Sequence, residues 1–215
     1  MGTSLEARLR DGRAARLPAA ERRAQILEEA VRVFARRGYG EISTAEIAQS
    51  CGVSEPALYR YFSGKRELYL AALDEASSRI LRRWKTIAEE SGHAVEALLA
   101  IGQWYFAQLE DEPEWLRLRA RADVDARESD VRERQQAFFL KGFEFVLGLF
   151  EAAREQGRIP AGTDLRARTW FFLALGSLID RTEALGLREA LGPEDLGRMI
   201  LAGAPELLSP ANRPV

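Results

Sequence analysis

The chain has 215 residues, 47% hydrophobic and 30% charged, with a formal net charge of −2, one Cys and one His. This is the balance of a globular protein with room for one small domain and one larger one. It excludes an intrachain disulfide and a Cys/His metal cluster. No Ser/His/Asp or Cys/His constellation and no glycine-rich phosphate loop is present. No catalytic residue, metal or cofactor is therefore expected.

The first 18 residues, Met1 to Pro18, are rich in Arg and lack the apolar core of a signal sequence. Arg8, Arg10, Arg13 and Arg16 form a basic arm suited to a minor groove, or a tail with incidental charge. A first helix is predicted from near Pro18 to Arg37, with Gly38 as its stop. The next stretch, 43–65, reads as two short helices joined by a glycine turn. Ser43-x-x-Glu46 is a capping box. Ile47 and Ala48 supply the buried side, and Gly52 a left-handed stop. Val53 plugs the angle between the helices. Ser54 caps the second short helix, and Pro56 falls in its first turn, where a missing N–H is harmless. Leu58 and Phe62, four apart, bury together. That is a helix-turn-helix, with the start of its second helix free to enter a major groove. A fourth helix is predicted from Ser63 to about Glu90. It carries Leu68, Ala72, Ile80, Trp84 and Ile87, so it can pass from one domain into the next. Further helices are expected at about 93–110, 113–127, 129–157, 164–186 and 193–208, broken at Pro113, Gly157 with Pro160, and Gly192-Pro193. The stretch Trp170 to Ile179 is the most apolar and is too short to span a bilayer. A cytoplasmic protein with no membrane partner is expected.

Charge divides along the chain. Residues 1–85 hold 16 Lys/Arg against 11 Asp/Glu, a net +5; residues 86–215 hold 15 against 22, a net −7. Basic charge gathers where nucleic acid would bind.

The 43–65 motif resembles the DNA-binding domain of TetR-family regulators. The resemblance rests on Ser43-Thr44, Ile47-Ala48, Gly52-Val53-Ser54, Leu58-Tyr59-x-Tyr61-Phe62, Lys65 and Glu67-Leu68. The preceding Ile26-Leu27-x-x-Ala30-x-x-x-Phe34-x-x-x-Gly38-Tyr39 agrees with the family's first helix, and the likeness covers about residues 22–70. It implies an all-α fold: an N-terminal three-helix helix-turn-helix domain followed by a larger helical bundle for ligand binding and dimerisation. The corresponding divisions are 1–18 (arm), 19–68 (DNA-binding domain), 69–208 (bundle) and 209–215 (tail). The fourth helix would act as a lever between the two domains. Thr44, Tyr61 and Lys65, joined by Arg60, fall where the family holds phosphates, and the free N–H groups of a helix starting at Ser63 would face another phosphate. Ala45, Ser54, Glu55, Pro56, Ala57 and Tyr59 fall on or beside the base-reading surface, although Tyr59 reads equally as a packing residue. Ala45 departs from relatives that place an Arg there, which shifts weight toward DNA shape. An isolated charge such as Arg66 reads as a solvated surface residue. Cys51 reads as a small buried residue at the turn, with a redox switch as the alternative.

In the larger half, Phe139, Phe143, Val146 and Phe150 form one helical stripe. Trp104, Phe139, Phe143, Trp170 and Phe171 are candidates to line an apolar ligand cavity, although each also reads as plain core. Glu114 to Arg134 is rich in Arg, with Arg117, Arg119, Arg121, Arg127, Arg132 and Arg134. It resembles the middle segment of relatives that answer to long-chain acyl-CoA, with Arg121 a candidate partner for CoA phosphates. A solvated helix laced with Arg–Glu pairs fits the same spacing, and another hydrophobic effector is equally compatible. Leu173, Gly176, Leu178, Ile179, Met199, Ile200 and Leu207 are candidates for a homodimer seam. A dimer would require a palindromic double-stranded operator. The expectation is thus a dimeric, ligand-responsive repressor released by a small hydrophobic effector. The alternative is a helical ligand-binding protein whose helix-turn-helix serves as a protein interface.

Overall fold

The computed structural model describes residues 18–111, 113–125 and 127–184. All regular structure among them is helical: α1 (Ala19–Arg37), α2 (Thr44–Ser50), α3 (Glu55–Leu58), α4 (Lys65–Glu90), α5 (Ala94–Asp111), α6 (Glu114–Asp125), α7 (Ser129–Glu155) and α8 (Leu165–Ala184). The expected all-α architecture is therefore observed. Most of the basic arm, the helix at 193–208 with Met199, Ile200 and Leu207, and the tail lie outside the described residues.

Each early boundary has a local cause. α1 carries Glu21 in its first turn and Arg36 and Arg37 in its last, which suits the helix dipole. It stops at Gly38: the Gly38 N–H still bonds the Phe34 carbonyl at 2.9 Å, and its φ of 78° then turns the chain out of the helix. α1 buries Ile26, Ala30, Val33 and Phe34, a helical stripe. α3 has four residues and is too short to persist alone. It is held by Leu58 and the following Phe62, both buried with Ile47 and Ala48 in a common core.

α4 is the continuous element. Its 26 residues span roughly 39 Å at 1.5 Å per residue. Leu68, Tyr69, Ala72, Leu73 and Ala76 enter the first core; Ile80, Trp84 and Ile87 enter a second one with α5, α7 and α8. The first core is not closed by α1–α4 alone. Leu118 and Ala122 of α6 and Val131 of α7 belong to it. α6 and the start of α7, from the middle of the larger half, thus pack directly on the helix-turn-helix unit.

Polar contacts follow the same seam. Arg66 of α4 donates from Nε to Asp130 Oδ2 at 2.8 Å and makes a second bond from Nη2 to Oδ1. Arg36 pairs with Glu114 at 3.0 Å, and Arg134 with Asp74 at 3.2 Å. Arg66 is therefore not the solvated surface charge that its isolation in the sequence suggests. The bond to Arg66 lowers the Asp130 pKa, and the same bond raises that of Arg66.

Candidate DNA-binding surface

The α2–turn–α3 unit is built by two caps and one glycine. Ser43 Oγ accepts from the Glu46 amide at 3.2 Å, and Glu46 Oε2 accepts from the Ser43 amide at 2.8 Å, which completes the capping box. Glu46 also accepts from Arg37 Nη1 at 2.9 Å, so the end of α1 is tied to the start of α2. The Ser43 backbone and side-chain bonds and then Arg37 hold the Glu46 carboxyl at about 2, below its ordinary 4.5. At the turn, Gly52 adopts φ 64°. The Val53 amide reaches back to the Ala48 carbonyl and the Gly52 amide to the Gln49 carbonyl, both at 3.0 Å. Ser54 Oγ then accepts from the Ala57 amide at 3.4 Å and starts α3, with Pro56 in its first turn.

This geometry sets the exposed side chains. Ala45, Ser54, Pro56, Tyr59 and Arg60 are exposed, whereas Thr44, Glu55, Ala57, Tyr61 and Lys65 are half-buried. Three of the candidate contacts form a chain: Thr44 Oγ1 donates to Glu55 Oε1 at 2.5 Å, and the Tyr59 hydroxyl reaches Thr44 Oγ1 at 3.5 Å. The start of α2 and the start of α3 are thereby joined through polar groups. One oxygen of Glu55 is engaged, and Tyr59 projects beside it. Tyr61 packs against the first core. Lys65 lies with its ammonium 4.5 Å from the centroid of the Tyr39 ring. In the sequence Tyr39 belongs only to the first-helix likeness, and nothing local there pairs it with Lys65, 26 residues on.

Ser63 departs from expectation. α4 starts at Lys65 rather than Ser63, and the Ser63 amide donates to Glu67 Oε2 at 2.6 Å. That N–H is occupied by a carboxylate of its own helix, whose pKa the bond lowers. Cys51 is half-buried, with Sγ 3.8 Å from the Ile26 carbonyl. Burial, aided by the charge of Glu29, pushes its thiol up to about 11, so little reactive thiolate exists at neutral pH.

The candidate ligand residues do not form one group. Trp104 stacks on Trp115 with centroids 5.8 Å apart and planes 7° from parallel. Phe139 and Phe143 of α7 meet Trp170 of α8 at 5.5 and 5.4 Å. Phe171 turns outward and is 53% exposed. Arg121 is exposed, and its Nη2 donates to the Arg36 carbonyl at 3.3 Å, so it sits on the α1 seam, apart from these aromatics. The Arg of that run that enters the bundle is Arg119, buried at 6% exposure. Its Nη1 donates to Gln135 Oε1 at 2.7 Å and Ser77 Oγ at 3.1 Å, and its guanidinium lies 3.7 Å from the Phe138 ring centroid. Gly142, one turn beyond Phe138, packs on Trp84, whose indole N–H is buried without a hydrogen-bond partner among the described residues.

The seam candidates on α8 divide likewise. Leu173 is buried in the second core, and a Cβ on Gly176 would stand 3.8 Å from Tyr105 Cε1, so both face inward. Leu178 faces outward with Trp170 and Phe171. The side chain of Ile179 lies outside the described residues.

Residues 26–72 match the profile of bacterial regulatory proteins of the tetR family. The chain is 28% identical over 151 residues to the fatty acid metabolism regulator protein of Bacillus subtilis, covering 69% of this chain and 76% of that protein. It is 37% identical over 103 residues to the HTH-type transcriptional activator FasR of Mycolicibacterium smegmatis, a match spanning 48% of this chain and about half (47%) of that protein. In fold it is similar to the transcriptional regulator FadR from Bacillus subtilis, solved in complex with stearoyl-CoA. The TM-score is 0.67 at 21% identity, over 86% of this chain and 97% of that one. Among the described residues no helix is long and apolar enough to cross a membrane, and no group of His, Cys, Asp or Glu is suited to a metal.

Proposed function

We propose that this chain, which belongs to the TetR family of bacterial regulators and is a DNA-binding transcription regulator rather than an enzyme, works as a dimeric repressor released by a long-chain fatty acyl-CoA. The observation that carries the DNA reading is the capped α2–turn–α3 unit. It presents Ala45, Ser54, Pro56, Tyr59 and Arg60 on one side of a buried Leu58–Phe62 anchor. In this reading Thr44, Arg60, Tyr61 and Lys65 take phosphates, and Glu55, Pro56, Ala57 and Tyr59 meet base edges. Affinity then falls steeply with salt, and Lys65→Ala lowers the slope by about one.

The effector reading rests on Arg119 and on the fatty-acid regulators to which the chain is similar. A guanidinium buried against Phe138, with the Trp84 N–H in the same α4–α7 seam, supplies donors for a thioester carbonyl or phosphate; the surrounding aromatics suit an acyl chain. Because Ser77 and Trp84 lie on α4, an occupant there bears directly on the helix that enters the DNA-binding core. The dimer reading rests on the outward stripe of α8, Trp170, Phe171 and Leu178, with Leu140 of α7 also exposed; a second copy burying these side chains would supply the second recognition helix.

The test is release. Protein bound to its selected operator is titrated with stearoyl-CoA, stearate and free CoA. Release by stearoyl-CoA alone, lost in Arg119→Met, supports the reading. Indifference to all three at saturating levels refutes the effector. A reporter under the operator gives the sign of regulation, since one similar protein is named an activator.

A further inference from the structure

Lys65 and Arg66 occupy the first turn of α4, the end where the helix dipole disfavours cations. Gly64 offers no side-chain cap to offset this. Each cation instead has a partner from elsewhere in the chain. Asp130 takes Arg66 through two hydrogen bonds. Lys65 has the face of Tyr39, with Nζ 4.5 Å from the centroid, while the Arg66 Cζ stands farther off at 5.2 Å. The Tyr39 ring is itself held in place: it packs at 4.9 Å on Tyr69 and 6.4 Å on Phe34, both buried, and those two meet edge-on at 5.0 Å. A flexible four-carbon side chain is thereby given one preferred resting place on a fixed ring. Ordering Lys65 before DNA arrives removes part of the entropy lost when it grips a phosphate.

We propose that Tyr39 is a positioning residue for DNA binding: its ring holds the Lys65 ammonium ready for a backbone phosphate, while Asp130 fixes the neighbouring Arg66 at the more distant position beside the same ring. This rests on the reading of Lys65 as a phosphate contact.

The experiment measures operator affinity against salt for the full chain and for Lys65→Ala, Tyr39→Leu, Tyr39→Phe and the double variant Tyr39→Leu/Lys65→Ala. Lys65→Ala alone tests the parent reading: an unchanged affinity and slope removes Lys65 from the contact, whatever Tyr39 does. With Lys65 present, Tyr39→Leu is expected to weaken binding about two- to tenfold, the cost of ordering one long side chain on binding. With Lys65 replaced, the same change should cost almost nothing, and Tyr39→Phe should restore near-native affinity because the ring face remains. Equal losses in both Lys65 backgrounds would make Tyr39 a merely structural residue. Tighter binding by Tyr39→Leu would mean that the ring withholds Lys65 from DNA. Either result overturns the proposal. Should Tyr39→Leu fail to fold, progressively fluorinated phenylalanines at position 39 keep the ring's shape while draining its negative face. Affinity should then fall stepwise with fluorination, and a flat series overturns the proposal.

Discussion

Gly52 is the residue on which the angle between α2 and α3 turns, and its replacement by Ala isolates a single cause. Its φ of 64° lies in the left-handed region, and a Cβ there would meet no atom within 4 Å. No steric clash enters, so the cost is conformational. Holding an L-residue with a Cβ in that region costs about 1–2 kcal/mol. Ala also narrows the unfolded ensemble, which returns roughly 0.4–1 kcal/mol. The net expectation is a loss of about 1 kcal/mol. Gly52→Asn should lose about half as much, because Asn enters the left-handed region more readily. Urea unfolding followed by far-ultraviolet circular dichroism measures both, with unchanged m-values showing that the folded and unfolded states stay comparable. If Ala is neutral, or if Asn is the more damaging of the two, the strain argument is wrong. A loss above about 3 kcal/mol would point instead to a steric clash that the open surroundings of Gly52 exclude. Operator affinity should fall with Gly52→Ala more than with Gly52→Asn, since any relaxation of the turn tilts α3 away from the groove.

Three further outcomes follow from the same geometry. Leu58→Ala removes the buried anchor of a four-residue helix and should cost about 2–5 kcal/mol in urea unfolding, with DNA retention lost alongside; a cost below about 1 kcal/mol would show that α3 is not held by its core face. Gly148→Ala lies inside α7 with no atom within 4 Å of a Cβ, so it should stabilise by roughly 0.5–1 kcal/mol, read as a raised melting temperature; a lowered one contradicts the assignment of an open helical site. The Glu46 carboxyl is depressed in the folded state from 4.5 to about 2, so the stability it contributes is complete above 4.5 and is lost as pH falls toward 2. Glu46→Gln should flatten the acid limb of the stability profile within that window; an identical limb would show that the capping box is not a source of the acid sensitivity.

Much of the DNA-binding unit was legible in the sequence because its determinants are local. A capping box spans four residues, a left-handed glycine is one residue, and the Leu58–Phe62 pair is a single helical turn. The same locality made the helix breaks at Pro113 and Gly157 readable. Three features escaped for the opposite reason. Arg66 and Asp130 are 64 residues apart, so no window joins them, and Arg66 alone looks like any surface charge. The run from Arg117 to Arg134 has the spacing of a solvated helix, and nothing in it marks Arg119 as the one that α4 and α7 enclose. α8 carries bulky apolar groups on two sides, so periodicity could not decide that Leu173 and Gly176 face the bundle while Trp170, Phe171 and Leu178 face outward.

The measurement that bears most directly on the account is selection of DNA by the purified protein from a fragmented source genome at moderate salt, followed by sequencing of the retained fragments. The account predicts recovery of a short palindromic motif whose half-sites are about one helical turn apart, with retention that falls steeply as salt rises. A folded protein that retains no DNA, or that retains it without any shared motif, would contradict it and turn attention to the helix-turn-helix as a surface for another protein.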